Sequence, residues 1–226
     1  MGGLRAIHLP VTVVGLLRAG GVRAVAAWIA CFCIVADPAH AAGFSGRVVV
    51  ELTDEIEFVH KFRLLEDFAY VDAGGKQWLA RKGGIVDDES VPRDLVSLRG
   101  LPYIAEYRKA AVIHNYFCRA RTEPWRRVHR TLFDASIAEG VTETQAKALY
   151  AAVYAGGWRW ETRDSSCFRS CHASTESLAW KPMVTPAEIE PVLQWIWQDA
   201  PDLDAIDRRV DAVVKKPGPH LFAQRP

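Results

Sequence analysis

The stretch IAEYRKAAVIHNYFCR, residues 104–119, decides the fold because it is apolar on most faces of a helix. Its apolar positions include Ile104, Ala111, Val112 and Tyr116, which leave no wide polar stripe for solvent. A helix of this kind is stable only when other elements cover it on several sides. The stretch therefore predicts a central buried helix.

The chain ahead of this stretch is typical of β-strands. β-Branched and aromatic residues occur throughout residues 47–52 and 62–71. The turn sequence DAGG at 72–75 indicates a hairpin, because glycine reaches positive φ at little cost, and residues 76–81 would return as the partner strand. The first part is therefore predicted to form a small antiparallel sheet.

Helix signals dominate the rest of the chain. Pro92 sits at an early helical position, Gly140 at a helix C-terminus, and Thr142 opens a T-x-x-Q capping box. The predicted helices cover residues 92–99, 104–119, 122–138, 142–154, 185–199 and 203–214, and residues 158–182 are predicted to be irregular. We expect an α+β fold, with a small N-terminal antiparallel β-sheet followed by a mainly helical domain of about five to six helices.

Residues 1–41 resemble a secretory signal peptide, with basic residues, an apolar run at 24–36 and the small-x-small sequence AHA at 39–41. The run is shorter than the roughly 20 residues of a membrane-spanning helix, so we expect cleavage near Ala41 and no stable membrane span afterwards. An uncleaved anchor is the alternative. The protein is predicted to be periplasmic or secreted, with one globular domain at 42–214 and a flexible tail at 215–226.

Charge and cysteine content narrow the function classes. Removing residues 1–41 takes three Arg and one Asp from 28 basic and 27 acidic residues, so the remainder has a formal charge of −1 and no basic patch for nucleic acid. Among Cys118, Cys167 and Cys171 at least one disulfide is expected in an oxidising compartment. The alternative, half a zinc site at Cys167-x-x-x-Cys171-His172, lacks a second ligand pair. The sequence carries no indication of oligomeric state.

The first chemical motif is VDDESVPR at 86–93, where the predicted sheet meets the first helix. Asp87, Ser90 and Arg93 are the candidate functional residues here, because loop backbone is free to aim side chains. The alternative is an acidic helix cap. Sequence patterns such as H-E-x-x-H, G-x-S-x-G and a Gly-rich phosphate loop are absent from the chain, which argues against a phosphate-dependent enzyme.

Two histidines in neighbouring predicted helices form the second candidate site. His114, followed by Asn115, lies in the most apolar helix, and His129 lies in the next. A short link could bring the two imidazoles together, and with Asp87 they would offer two nitrogens and a carboxylate for a divalent metal, zinc or iron. Cys118 falls one turn after His114 and shares its face. The alternatives are a hydrogen-bonded core residue for His114 and a half-exposed surface residue for His129.

These motifs together resemble the family known as domain of unknown function 1353, seen in phages and exported bacterial proteins. Its pattern runs from an aspartate and S-[IV]-P-R through A-A-[VL]-x-H-D-Y to A-x-x-x-Y-x-A-V, and the likeness covers about residues 62–160. Asn115 stands where the family usually has an aspartate, and His129 where many relatives look to have another. A neutral amide cannot act as a general base, so the resemblance implies a shifted role for His129 or a lost activity.

Two functional hypotheses follow. The first is a periplasmic hydrolase-like domain that acts on a cell-wall or envelope component. Its cleft would contain Asp87, Ser90, His114 and His129, which would bind a metal or transfer protons. Arg93 would hold an anionic group of the substrate. The second is a non-catalytic envelope binding or assembly module, in which the same residues form a structural polar network around His114. Its exposed aromatic contacts would be Trp158, Trp160, Trp195 and Trp197.

Overall fold

The structure is a computed structural model, and it describes residues 42–56, 59–87, 95, 101–102, 104–162 and 177–215. Several sequence predictions fall on other parts of the chain. The predicted signal segment at 1–41, the predicted helix at 92–99 apart from Leu95, and residues 216–226 lie outside the described residues. So do Ser90, Arg93, Cys167 and Cys171.

The N-terminal part forms two small antiparallel sheets. Its strands are β1 (Gly43–Ser45), β2 (Val50–Ile56), β3 (Val59–Leu64), β4 (Phe68–Val71), β5 (Gln77–Ala80) and β6 (Ile85–Asp87). One sheet has the order β1-β4-β5 and the other β2-β3-β6. The strand-like stretch at 62–71 is divided between β3 and β4, because the chain turns after Leu64 and passes from one sheet to the other. The Asp67 carboxylate fixes this turn by accepting a hydrogen bond of 2.7 Å from the Lys82 amide.

The hairpin predicted around residues 72–75 is confirmed, since β4 and β5 pair with Val71 opposite Gln77. The Asp72 carboxylate accepts hydrogen bonds from the Gly74 amide at 3.0 Å, the Lys76 amide at 2.9 Å and Trp78 Nε1 at 3.0 Å. An aspartate that binds the amides ahead of it is a strong local turn signal. The sequence prediction of the hairpin rested on glycine, and Gly75 does adopt a positive φ of 78°.

The remaining elements are helical, which confirms the α+β class. After a short 3-10 helix at Ile104–Glu106, the helices are α1 (Arg108–Ala120), α2 (Trp125–Glu139), α3 (Glu143–Gly156), α4 (Pro186–Asp199) and α5 (Leu203–Asp211). The Thr142 cap and a full capping box between Thr185 and Glu188 open α3 and α4. None of the described helices has the length and apolar character of a membrane span.

The most completely buried helix is α3, not α1. Every residue from Ala146 to Gly156 in α3 is buried, whereas α1 buries residues 110–115 and Phe117. Alanine and glycine make up much of α3, and small side chains let neighbouring helices approach it from several sides. The apolar pattern of α1 therefore predicted its burial correctly but not its rank within the core.

The segment predicted to be irregular at 158–182 contains a strand pair. β7 (Arg159–Thr162) and β8 (Ser177–Trp180) pair antiparallel, with Trp160 opposite Ala179. Trp160 is 3% exposed and its Nε1 donates a 2.9 Å hydrogen bond to the Glu123 carbonyl oxygen. It is therefore a core residue and not a surface contact, whereas Trp197 is 46% exposed.

Polar contacts hold α5 against α2 and α3. Tyr150 donates a 2.5 Å hydrogen bond to Asp207 Oδ1, and Tyr154 donates one of 3.0 Å to Asp211 Oδ2. Arg130 of α2 binds Asp207 as well, at 2.9 Å. Because the acceptors are carboxylates, each of these bonds stabilises more than a neutral one. These contacts attach the C-terminal helix to both α2 and α3.

Replacing Tyr150 by phenylalanine tests this anchor. We expect Tyr150→Phe to lower the free energy of unfolding by about 1.5–3 kcal/mol, because it removes a hydrogen bond to a charged acceptor. Tyr107→Phe is the matched control, since Tyr107 is equally a buried phenol but its hydroxyl has no hydrogen bond with a described residue. Urea unfolding of both variants measures the difference; equal stabilities would show that Tyr150 does not anchor α5.

Candidate functional site

The predicted pairing of the two histidines is present in the fold. α1 and α2 run antiparallel, and His114 Nε2 lies 2.9 Å from His129 Nδ1. The side chains are 3% and 0% exposed, so His129 is a core residue and not the half-exposed residue considered from the sequence. Two adjacent buried imidazoles, each from a different helix, require either a shared proton or a shared ligand.

Cys118 completes a group of three metal-ligand side chains. It lies one turn after His114 on α1, and its Sγ is 3.4 Å from His114 Nε2. One ligand atom from each of His114, Cys118 and His129 lies within 4.8 Å of the other two. Cys118 is a free thiol. The H-x-x-x-C spacing in the sequence is the signal for this contact, because residues four apart share a helix face.

Asp87, the third ligand predicted from the sequence, lies in an adjoining polar group. At the end of β6 its backbone amide donates to Asn115 Oδ1 at 2.9 Å, and Asn115 Nδ2 approaches the Asp87 carbonyl oxygen at 3.1 Å and Oδ1 at 2.5 Å. Arg119 binds the other carboxylate oxygen at 3.3 Å. A carboxylate at position 115 could not make the donor contacts, so the amide is what ties β6 to α1.

The structure thus brings together the predicted site residues as two neighbouring pairs, His114 with His129 and Asp87 with Asn115. Consecutive residues on a helix point about 100° apart, so His114 faces α2 while Asn115 faces β6. The proximity of Asp87 to the thiol is sufficient for its charge to act on Cys118. Ser90 and Arg93 lie outside the described residues, so their positions relative to the pairs stay a prediction.

Burial sets the protonation of the three ligand side chains. It lowers the pKa of His114 to about 3, and it lowers the pKa of His129 well below the usual value, with further lowering by His114 and Arg159. Burial also raises the pKa of the Cys118 thiol, and the charge of Asp87 raises it further. At neutral pH both imidazoles are therefore uncharged, and the thiol keeps its proton in the absence of a metal.

The far side of the His129 ring packs against the end of α3. A Cβ atom added to Gly157 would lie 3.2 Å from His129 Nε2 and 2.4 Å from the Val153 carbonyl oxygen. Nε2 itself is buried and has no hydrogen bond of normal geometry with a described residue, although the Trp158 backbone is close enough to raise the pKa of His129 and partly offset its lowering by burial. Trp125 supports the ring from another side, with centroids 5.5 Å apart. Only a glycine at 157 lets the ring lie so close to the backbone.

Comparison with known proteins identifies the segment that carries both pairs. The family that matches is described as "Protein of unknown function (DUF1353)". Residues 62–153 match its model. The likeness predicted from the motifs is thereby confirmed for this segment. The DUF1353 match includes Asp87, Asn115 and the three ligand residues, and it ends before Gly157.

Two relatives from Sinorhizobium fredii (strain NBRC 101917 / NGR234) share this segment. The uncharacterized protein y4iH is 40% identical over 101 residues, which are 45% of this chain and 42% of the relative. The uncharacterized protein y4jT is 38% identical over 104 residues, which are 45% of this chain and 31% of the relative. The chain thus spans less than half the length of these curated relatives. No solved structure matches it significantly.

The contact between Gly157 and His129 can be tested with an alanine substitution. We expect Gly157→Ala to lower the free energy of unfolding by roughly 1–3 kcal/mol, because the added methyl overlaps the Val153 carbonyl and crowds the imidazole. Gly74→Ala is the control, since a Cβ there would meet only the Asp72 carboxylate, at 3.3 Å. Thermal and urea unfolding measure both; a Gly157→Ala variant as stable as Gly74→Ala would contradict the packing.

Proposed function

We propose that this domain binds a transition-metal ion, zinc foremost, through His114, Cys118 and His129. The observation that carries the proposal is the placement of one ligand atom from each residue within 4.8 Å of the others. Imidazole nitrogen and thiolate sulfur are the ligands that zinc takes in proteins, and thiolate disfavours hard ions such as magnesium and calcium. The Cys118 thiol would lose its proton to the solvent when the ion binds.

The distances are close to those of a tetrahedral site. Zinc–nitrogen bonds of about 2.0–2.1 Å place two ligand nitrogens about 3.3 Å apart, and a zinc–sulfur bond of about 2.3 Å places nitrogen and sulfur about 3.6 Å apart. The corresponding separations here are 2.9 Å between the imidazoles and 3.4 Å between Cys118 Sγ and His114 Nε2. The third separation, between Cys118 Sγ and the His129 ligand nitrogen, is at most 4.8 Å, so side-chain rotation would have to complete the tetrahedral arrangement.

The surroundings of the three ligands support the same proposal. The Asp87 carboxylate lies near Cys118, is held by Asn115 and Arg119, and brings a negative charge next to a cationic ion. Trp125 and Trp160 pack around the His129 ring and restrict its orientation. Charged and hydrogen-bonded partners of this kind raise metal affinity in known sites.

Three protein ligands leave one tetrahedral position for water, an arrangement typical of catalytic zinc. An ion in this site would make its bound water a nucleophile, and a periplasmic hydrolase acting on a cell-envelope component is the catalytic form of the proposal. The substrate would have to enter beside Cys118, because the two imidazoles are buried and the thiol side is half-buried. The Asp87 carboxylate, whose charge acts on Cys118, would be the proton acceptor there.

A second candidate function rests on the hydrogen bond between the histidines. A separation of 2.9 Å suits an N–H donor and a nitrogen acceptor, and two neutral imidazoles can share that bond without a metal. In this case the polar groups would fix helix packing in a non-catalytic envelope binding or assembly module. Metal content separates the two candidates directly.

The deciding measurement is the zinc content and affinity of purified protein, by native mass spectrometry and competition with a chelator. We expect one zinc ion per chain in the wild type. Cys118→Ser and His129→Ala should weaken binding by more than the roughly 10–100-fold that loss of an outer hydrogen-bond partner causes. His60→Ala is the control, because His60 stacks on Phe62 in β3 and is not one of the three ligands. It should bind zinc like the wild type.

Cobalt substitution identifies the ligands independently of affinity. A Co²⁺ ion in the site should give a thiolate charge-transfer band that disappears in Cys118→Ser and persists in His60→Ala. Equal zinc affinity of Cys118→Ser and the wild type would reject the proposal in favour of the hydrogen-bonded network. The network predicts instead a metal-free protein in which His114→Ala loses about 1–3 kcal/mol of stability, because His129 Nδ1 is left buried without its partner.

A further inference from the structure

A cavity of about 570 Å³ lies at the end of α1 remote from Cys118. Its walls come from the connection between β1 and β2, the 3-10 helix, the first turn of α1 and the end of α2. A volume in this range is typical of sites for small organic ligands. The cavity shares no lining residue with the proposed metal site, so its function is a separate question.

The charges around the cavity are unequal. Arg108 and Lys109 line it, and Arg108 forms no ion pair with the described residues, while Lys109 Nζ lies 5.6 Å from the Phe44 ring centroid without an ion pair. Arg47, also on the wall, is paired with Glu66 at 2.9 Å. Among the described residues, neither Arg108 nor Lys109 has an ion-pair partner.

The one carboxylate on the wall is already engaged. Glu139 accepts hydrogen bonds from the Lys109 amide at 3.1 Å and the Ala110 amide at 3.0 Å, and so caps the first turn of α1. The positive end of the helix dipole offsets much of its negative charge. Glu139 therefore blocks the helix terminus as an anion site and leaves the Arg108 and Lys109 side chains as the groups that attract one.

The rest of the wall is apolar and its shape is fixed by the backbone. Val48, Val50 and Ala105 supply aliphatic surface. Gly46 has φ +85°, and a Cβ atom there would lie 2.7 Å from the Asp67 carbonyl oxygen. The backbone at residue 46 can therefore lie this close to residue 67, just before β4, only because residue 46 is glycine. The Leu65 amide binds the Val49 carbonyl oxygen at 2.9 Å and holds the same connection.

We propose that this cavity binds a small organic anion, with its carboxylate or phosphate group between Arg108 and Lys109 and its body against Val48 and Val50. Guanidinium and ammonium groups bind both kinds of anion through charge-assisted hydrogen bonds. The aliphatic wall gives a binding surface to the uncharged part of the ligand, which an inorganic ion would not use.

Three probes with the same sugar ring test the proposal by calorimetry at low ionic strength: glucuronate, glucose 6-phosphate and glucose. At least one of the two anions should bind, and glucose should not. The anion that binds more tightly identifies the charged group that the cavity prefers. Binding should weaken as salt is added, because the cationic groups are exposed.

A double variant, Arg108→Gln with Lys109→Gln, tests whether these two side chains form the site. Arg81→Gln is the control, because Arg81 is an exposed arginine outside the cavity. The double variant should lose at least about tenfold in affinity, equivalent to about 1.4 kcal/mol, and the control should not. Undiminished binding in the double variant, or no anion binding at millimolar concentration, would overturn the proposal. Repeating the titration with Cys118→Ser should change nothing, which keeps the result independent of the metal site.

Discussion

Two polar contacts hold α1 against α2, and the rest of the domain depends on them. At one end the Glu139 carboxylate of α2 binds the Lys109 and Ala110 amides of α1. In the middle His114 meets His129. Together they fix both the register and the separation of the two helices, which apolar packing alone specifies poorly because ridges can slide by one turn. β6 packs against α1, and α3 packs against α2, so the positions of both depend on the arrangement of these two helices.

The position of His114 and Asn115 next to each other on α1 explains why two polar groups coexist in an apolar core. Their side chains leave the helix in different directions, so one imidazole reaches α2 and one amide reaches β6 without competing for partners. Asn115 satisfies both backbone groups of Asp87. The carboxylate of Asp87 is thereby held near Cys118, where it acts on the thiol through its charge. The Asp87–Asn115 pair and the His114–His129–Cys118 group therefore have separate hydrogen bonds, but the charge of Asp87 still affects Cys118.

Sequence reasoning succeeded where the signal is local. The turn at residues 72–75, the Thr142 cap and the helix start at Thr185 all depend on residues within four positions, and the structure has each of them. It failed for β7 and β8, because their pairing joins residues on either side of a long connection and has no local marker. At the candidate site the meeting of His114 with His129 followed from two helices and a short link, and helix spacing placed Cys118 beside His114. The pairing of Asp87 with Asn115 depended on the position of β6, which no spacing rule gives.

The boundary of the DUF1353 match has a physical consequence for this chain. The matched segment ends at residue 153, yet Tyr150 and Arg130 within it bind Asp207, and Asp207 belongs to α5. A buried phenol without an acceptor costs stability, so the segment in this chain needs its C-terminal helix as a source of carboxylates. Gly157 and Trp160, which pack around His129, also follow the boundary. The matched segment supplies all three proposed metal ligands, but residues outside it bury His129, so the site in this chain depends on residues beyond the match as well.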